Sequence, residues 1–217
     1  MHVRHPNIIH ALFMNKLCLF CILLSACSYQ KLTIPSANNK LSGYSFYKKA
    51  VAFQWSARDS FAINSILKGE IPSFYKKFTK VHTKIVNDEN KIIRAKYFVA
   101  TDYLVIGNNK DWARIPLTPM AAQKIADSLH CFLPTTKMVE EIYTQSKVKL
   151  EPIPMYAFRD STITMWQHHL MIEALRKGKR GLISGIKKDV VLSNKTIEQG
   201  KINRVAIYGW HQLNGTA

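Results

Sequence analysis

Near the start of this chain an apolar run from Leu17 to Leu24 follows a single cation, Lys16, and leads into Ser25, Ala26 and Cys27. The brevity of that run constrains everything after it. Eight residues in a helix rise about 12 Å at 1.5 Å each, far short of the roughly 30 Å hydrocarbon core of a bilayer. A basic start, a short apolar region and small residues at a processing point are instead the layout of an export signal. The fold must then be built from what lies beyond. Cys18 and Cys21 have C-x-x-C spacing but sit inside the apolar run with no βαβ context, so they do not read as a redox pair.

The ending Leu24-Ser25-Ala26-Cys27 resembles the lipobox of bacterial lipoproteins. That resemblance implies that the Cys27 thiol takes a diacylglyceryl group, with acyl chains such as palmitate, and that Cys27 becomes the mature N-terminus. It places the body outside the cytoplasm, in the cell envelope, held to a membrane by acyl chains. Residues 1–13 then lie upstream of a better start at Met14, and 14–26 form the signal peptide. Residues 27–43, rich in Ser and Asn, form a tether. Residues 44–217 form one domain.

Removing residues 1–26, which carry Arg4, Lys16 and no acidic group, leaves 191 residues and lowers the formal charge from +17 to +15. That length supports one domain with its own core. A strongly basic body suits nucleic acid, acidic glycans or anionic lipid surfaces. Export sets nucleic acid aside, and no RNA- or DNA-binding motif appears. Apart from Cys27 the exported chain holds one cysteine, Cys131, beside Phe132-Leu133, so no intramolecular disulfide framework exists and a packed thiol is expected.

The pattern predicts an α+β fold: an N-terminal helix, an antiparallel hairpin and sheet, a helical middle, and C-terminal strands of a mixed or incomplete sheet. Phe46, Ala50, Phe53 and Ala57 recur at helical spacing across 44–67, with Gly69 and Pro72 as the stop. Alternation over Val81–Val99 around Asp88-Glu89-Asn90 predicts a hairpin. Tyr103–Ile106 and Trp112–Ile115 predict a second pair, ended by Pro116. Thr118-Pro119 opens a helix to about His130, burying Met120, Ile125 and Leu129. A further helix runs to about Tyr143, and another, capped near Asp160 or Ser161, covers Ile163–Arg176. Strands follow at Asp189–Leu192 and Arg204–Tyr208.

Asn214-Gly215 is a hairpin-turn signal with only two residues after it, which predicts that more chain follows in the natural product. The segments LPTTKM (133–138), SGIKKDVVLSN (184–194) and VAIYGWH (205–211) resemble those of a group of uncharacterised bacterial exported proteins. The resemblance spans about residues 95–217. It implies further chain after the GWH segment and implies no particular reaction.

Three constellations could carry chemistry. On the helix 163–176, His168 falls on the stripe of Met165, Met171, Ile172 and Leu175, while His169 lies with Glu173 on another side, where surface pairing is expected. Asp189 opens one strand and His211 follows another. If the strands are antiparallel the two meet at one edge, an aspartate orienting a histidine as general base or ligand, with His168 lining the same cleft. Arg176, Lys177, Lys179 and Arg180, with Lys187 and Lys188, form a basic set suited to anions but without P-loop spacing. Glu140 and Glu141 diverge on their helix and do not form a catalytic pair. The function read from these residues is a hydrolase of an envelope polymer using His168, Asp189 and His211; the alternative is a non-catalytic lipoprotein binding anionic glycan or lipid headgroups. The sequence assigns no metal or cofactor.

Overall fold

The structure, a computed structural model, describes residues 31–35, 41–155, 157–200 and 204–217. Cys27, the signal segment and the start at Met14 lie outside the described residues. The architecture is α+β.

The helix predicted across 44–67 is two helices, α1 (Gly43–Ala50) and α2 (Trp55–Leu67). Gln54 is extended, at φ −64° and ψ 160°, and restarts the chain in a new direction. The stripe therefore fails halfway: Phe46 and Ala50 are buried, whereas Phe53 and Ala57 are exposed and Ala62, Ile63 and Ile66 fill the core from α2. Ser42 caps α1 by accepting from the Ser45 N–H at 3.1 Å. Gly43 is required beside it, because a Cβ there would stand 2.5 Å from the Trp112 carbonyl carbon.

After a 3-10 turn at Ser73–Lys76 comes the hairpin β1 (Phe78–Val86) and β2 (Ile92–Ala100), paired from Phe78↔Ala100 to Val86↔Ile92. β3 (Val105–Gly107) and β4 (Trp112–Arg114) form the second antiparallel pair, as predicted. Helix α3 (Pro119–Ser128) is capped by Thr118, which accepts from the Ala121 N–H at 3.3 Å. It buries Ala121, Ile125 and Ala126; Met120, expected inside, is 63% exposed, since at about 100° per residue it points away from the side that Ala121 and Ile125 turn to the core.

Helix α4 (Thr136–Gln145) leads to β5 (Val148–Lys149), and α5 (Thr162–Arg176) to β6 (Ile183–Ser184), which pairs with β5 in parallel. The strands β7 (Lys188–Val191) and β8 (Ala206–Gly209) are antiparallel, with a four-residue helix α6 (Lys195–Glu198) between them. Beyond β8 the Asn214-Gly215 signal is realised as a turn, closed by Gln212 N–H to Thr216 O at 2.8 Å.

Two apolar cores result among the described residues. The larger joins α1, α2, β3, β4 and α3 through Phe46, Ile66, Val105, Ile106 and Ile125; the smaller joins Val148, Leu150, Ile172, Ile183 and Ile186. Cys131 is half-buried at the margin of the larger core with its thiol free, and burial pushes that thiol's pKa up.

Candidate functional site

The densest chemistry lies between the two cores. Arg114 ends β4 with its side chain wholly buried, so its charge needs counter-charge. Asp102, in the bend after β2, accepts from Nε at 2.7 Å and from Nη2 at 2.6 Å, a bidentate fork. Nη1 donates to Glu173 of α5 at 2.8 Å. One helical turn before Glu173, His169 turns Nδ1 to the Arg114 backbone N–H at 3.3 Å, so that nitrogen is the acceptor and Nε2 carries the proton. Burial, helped by the Arg114 charge, pushes the His169 pKa down to about 4, and the ring is neutral at pH 7. Trp112 packs edge-on to His169 at 5.0 Å and lies under the guanidinium of Arg114 at 5.1 Å. His169 and Glu173 are therefore not a surface pair. The helical spacing was visible in the sequence; the buried arginine that claims them was not.

Next to this network, Lys187 and Asp189 stand two residues apart at the start of β7, a spacing that puts both on one face. Burial, with Arg114 adding to it, pushes the Lys187 ammonium down to about 8, and burial pushes the Asp189 carboxyl up to about 7 against the pull of Lys187. The Tyr103 hydroxyl donates to the Lys187 carbonyl at 3.3 Å. His168 sits on the neighbouring face of α5 with Nε2 2.7 Å from the Ile153 carbonyl, and burial lowers its pKa. It lines a cleft of ≈ 260 Å³ with Pro154, Met155, Phe158 and Met171. The charge of Lys187 acts on both His168 and His169. No hydrogen bond joins His168 to Asp189.

His211 belongs to a different place. The register Asp189↔Tyr208 does bring the start of β7 and the end of β8 to one edge. Gly209 at φ 106° and Trp210 at φ 78° then turn the chain out of the strand and lay His211 against α4. There it is 1% exposed and stacked on Tyr143 at 4.2 Å. Its Nε2 lies 3.0 Å from Oε1 of Glu140, the same oxygen that the Tyr208 hydroxyl contacts. The carboxylate that orients His211 is thus Glu140 and not Asp189, and His168, Asp189 and His211 do not converge on one cleft. Burial works to raise the Glu140 pKa, but the Tyr208 and His211 hydrogen bonds outweigh it and the result is a lowered value. Glu141 goes elsewhere, to Thr83 at 2.7 Å and to Lys137, as the 100° divergence required. Glu140 and Tyr143, at i and i+3, were the available signal for this site.

The basic set also divides. Arg176 is engaged, donating from Nε to the Lys179 carbonyl at 2.8 Å and pairing with Glu173 at 3.3 Å. Lys187 points inward, and Lys188 lies over the Trp210 ring at 5.2 Å. Lys177, Lys179 and Arg180 remain exposed on the loop after α5, which Lys177 opens at φ 48° and Gly178 continues at φ 71°. Among the described residues no group of His, Cys, Asp and Glu has the arrangement of a metal site. A shallow depression of ≈ 580 Å³ beside α3, lined by Met120, Lys124, Asp127, Leu133 and Val205 among others, holds none of the histidines.

No family model matches this sequence, and no curated protein or solved structure matches it at a significant level. Among the described residues no helix is long and apolar enough to cross a membrane.

Proposed function

We propose that this chain is an exported, lipid-anchored cell-envelope protein that acts by binding: a non-catalytic lipoprotein that holds anionic glycan or lipid headgroups. One observation carries the reading. The buried side chains of Asp59, Asp102, Arg114, His168, His169 and His211 each have hydrogen-bond partners within the fold, while the exposed cations of the loop Lys177–Arg180 stand in no ion pair of the described residues. Cations that fold partners do not neutralise are available to an external polyanion, and net charge supplies the long-range attraction. The Leu24-Ser25-Ala26-Cys27 ending supports the anchor.

Two measurements test this. Radiolabelled palmitate is expected in the wild-type chain and absent from Cys27→Ser; equal labelling of both overturns the anchor. Binding to anionic vesicles and to soluble polyphosphate is expected to weaken steeply between 50 and 200 mM salt, on the order of tenfold or more. Salt-independent binding, or none, overturns the anion reading.

A second reading, a hydrolase of an envelope polymer, is favoured by one observation: Glu140, Tyr208 and His211 share a single carboxylate oxygen at the edge of α4. A histidine held by a carboxylate can serve as a general base. Release of soluble fragments from isolated envelope polymer by the wild type, and not by His211→Ala of equal fold content, would put this reading first.

A further inference from the structure

The register of the β1–β2 hairpin sorts its side chains into two unlike faces. Cross-strand partners project to the same side, and successive residues to opposite sides. One face carries Val81↔Tyr97 and Thr83↔Ala95 and is turned to α4: Val81 is buried, the Tyr97 hydroxyl bonds Glu141 at 3.2 Å and Thr83 bonds it at 2.7 Å. The other face carries Lys80↔Phe98, His82↔Lys96, Lys84↔Arg94 and Val86↔Ile92. Lys80, Lys84, Arg94 and Lys96 are all exposed, and none of them joins an ion pair of the described residues.

Two features of that face are unfavourable for a hairpin that meets only water. Lys84 directly opposes Arg94, and like charges in direct register destabilise a ladder. Just beyond them Val86 is 61% and Ile92 65% exposed, and on the reverse side Ile85 and Ile93 leave the same end apolar. An anion between the two strands relieves the first cost, and removal from water relieves the second. A soluble polyanion does only the first. A bilayer surface does both, since phosphates stand at the headgroup level and an apolar boundary lies just beneath.

We propose that this outer face of the β1–β2 hairpin is a membrane-contact surface for anionic lipid. Lys80, Lys84, Arg94 and Lys96 meet headgroup phosphates while Val86 and Ile92 enter the boundary below. The turn residues Asp88 and Glu89, the latter paired with Lys91 at 2.8 Å, are polar and exclude entry tip-first, so the contact is lateral. This deepens the anion-binding reading, on which it rests, and moves it to residues outside the loop 176–180.

The test uses the full chain as Cys27→Ser, so that acyl chains contribute nothing, with vesicles of phosphatidylcholine alone or with phosphatidylglycerol, and with soluble polyphosphate. Among the vesicles, binding is expected only to those with phosphatidylglycerol, and tighter than to polyphosphate. Lys84→Gln, Arg94→Gln and Lys96→Gln together are expected to weaken it about a hundredfold, from roughly fivefold per cation at an anionic surface. Val86→Ser with Ile92→Ser is expected to weaken it about tenfold while leaving polyphosphate binding unchanged. Ile92→Trp is expected to be quenched by brominated phosphatidylglycerol beyond the level set by the native tryptophans. Vesicle binding that survives both hairpin variants overturns the proposal. Loss with the cation variant but not the aliphatic one, and equal affinity for polyphosphate, also overturns it while leaving the anion-binding reading standing. Binding to neither vesicles nor polyphosphate removes both.

Discussion

Replacing Asp102 by Ala tests whether the buried arginine holds the two cores together. The Arg114 side chain is 0% exposed and that of Asp102 3%, so neither charge is relieved by solvent. The substitution strips acceptors from Nε–H and from Nη2–H, the donors now satisfied at 2.7 and 2.6 Å. Glu173 remains as counter-charge, but its side chain is 33% exposed and already shared with Arg176, so water screens it. Breaking a buried pair by removing one partner costs about 3–5 kcal/mol, because the other charge is left uncompensated. At about 2–4 °C per kcal/mol for a domain of this size, the melting temperature is expected to fall by about 6–20 °C. Replacing both partners, as Asp102→Leu with Arg114→Met, removes the stranded charge and is expected to cost less than the single change, since apolar pairs of similar volume often substitute well. Thermal melting by circular dichroism, backed by urea titration, reads all three proteins. An Asp102→Ala melt within about 2 °C of wild type, or a double variant worse than the single one, would refute the reasoning.

Acid is expected to weaken the fold through His169: with a folded pKa of about 4 against an ordinary value near 6.5, the unfolded chain binds more protons between those values. This contribution is fully present above pH 6.5 and is lost as the pH falls toward 4, on the order of 2–3 kcal/mol by pH 4.5, so urea midpoints should decline less steeply with acid in His169→Phe than in wild type. His211→Phe, which keeps the stack on Tyr143 and loses only the bond to a Glu140 side chain that is 43% exposed, is expected to cost about 1 kcal/mol, whereas His211→Ala opens a cavity and costs about 2–4; equal melting temperatures for the two would contradict this. Gly185→Ala is expected to destabilise by at least about 2 kcal/mol, because φ is +98° and the new Cβ would stand 2.5 Å from the Leu150 carbonyl oxygen; an unchanged urea midpoint would show that the loop gives way.

The local elements of this protein were legible in its sequence because each is specified within a few residues. The Thr118 cap, the hairpin around Asp88-Glu89-Asn90 and the β7–β8 strands all follow from short-range hydrogen bonding and alternation. What failed locally was continuity: a helical period over 44–67 cannot show that Gln54 is extended, since the period resumes on the far side. Partners at long range were a different matter. Arg114 was one basic residue among 31 Lys and Arg until folding packed β4 against α5 and buried it. The antiparallel edge shared by Asp189 and His211 was derivable from strand direction, yet the hydrogen-bond partner of His211 was decided by two positive-φ residues, Gly209 and Trp210, which rotate the ring to Glu140. Periodicity determines which face of an element is apolar; only tertiary packing decides which charges share the space between two faces, because burial sets the cost of each charge and proximity sets what offsets it.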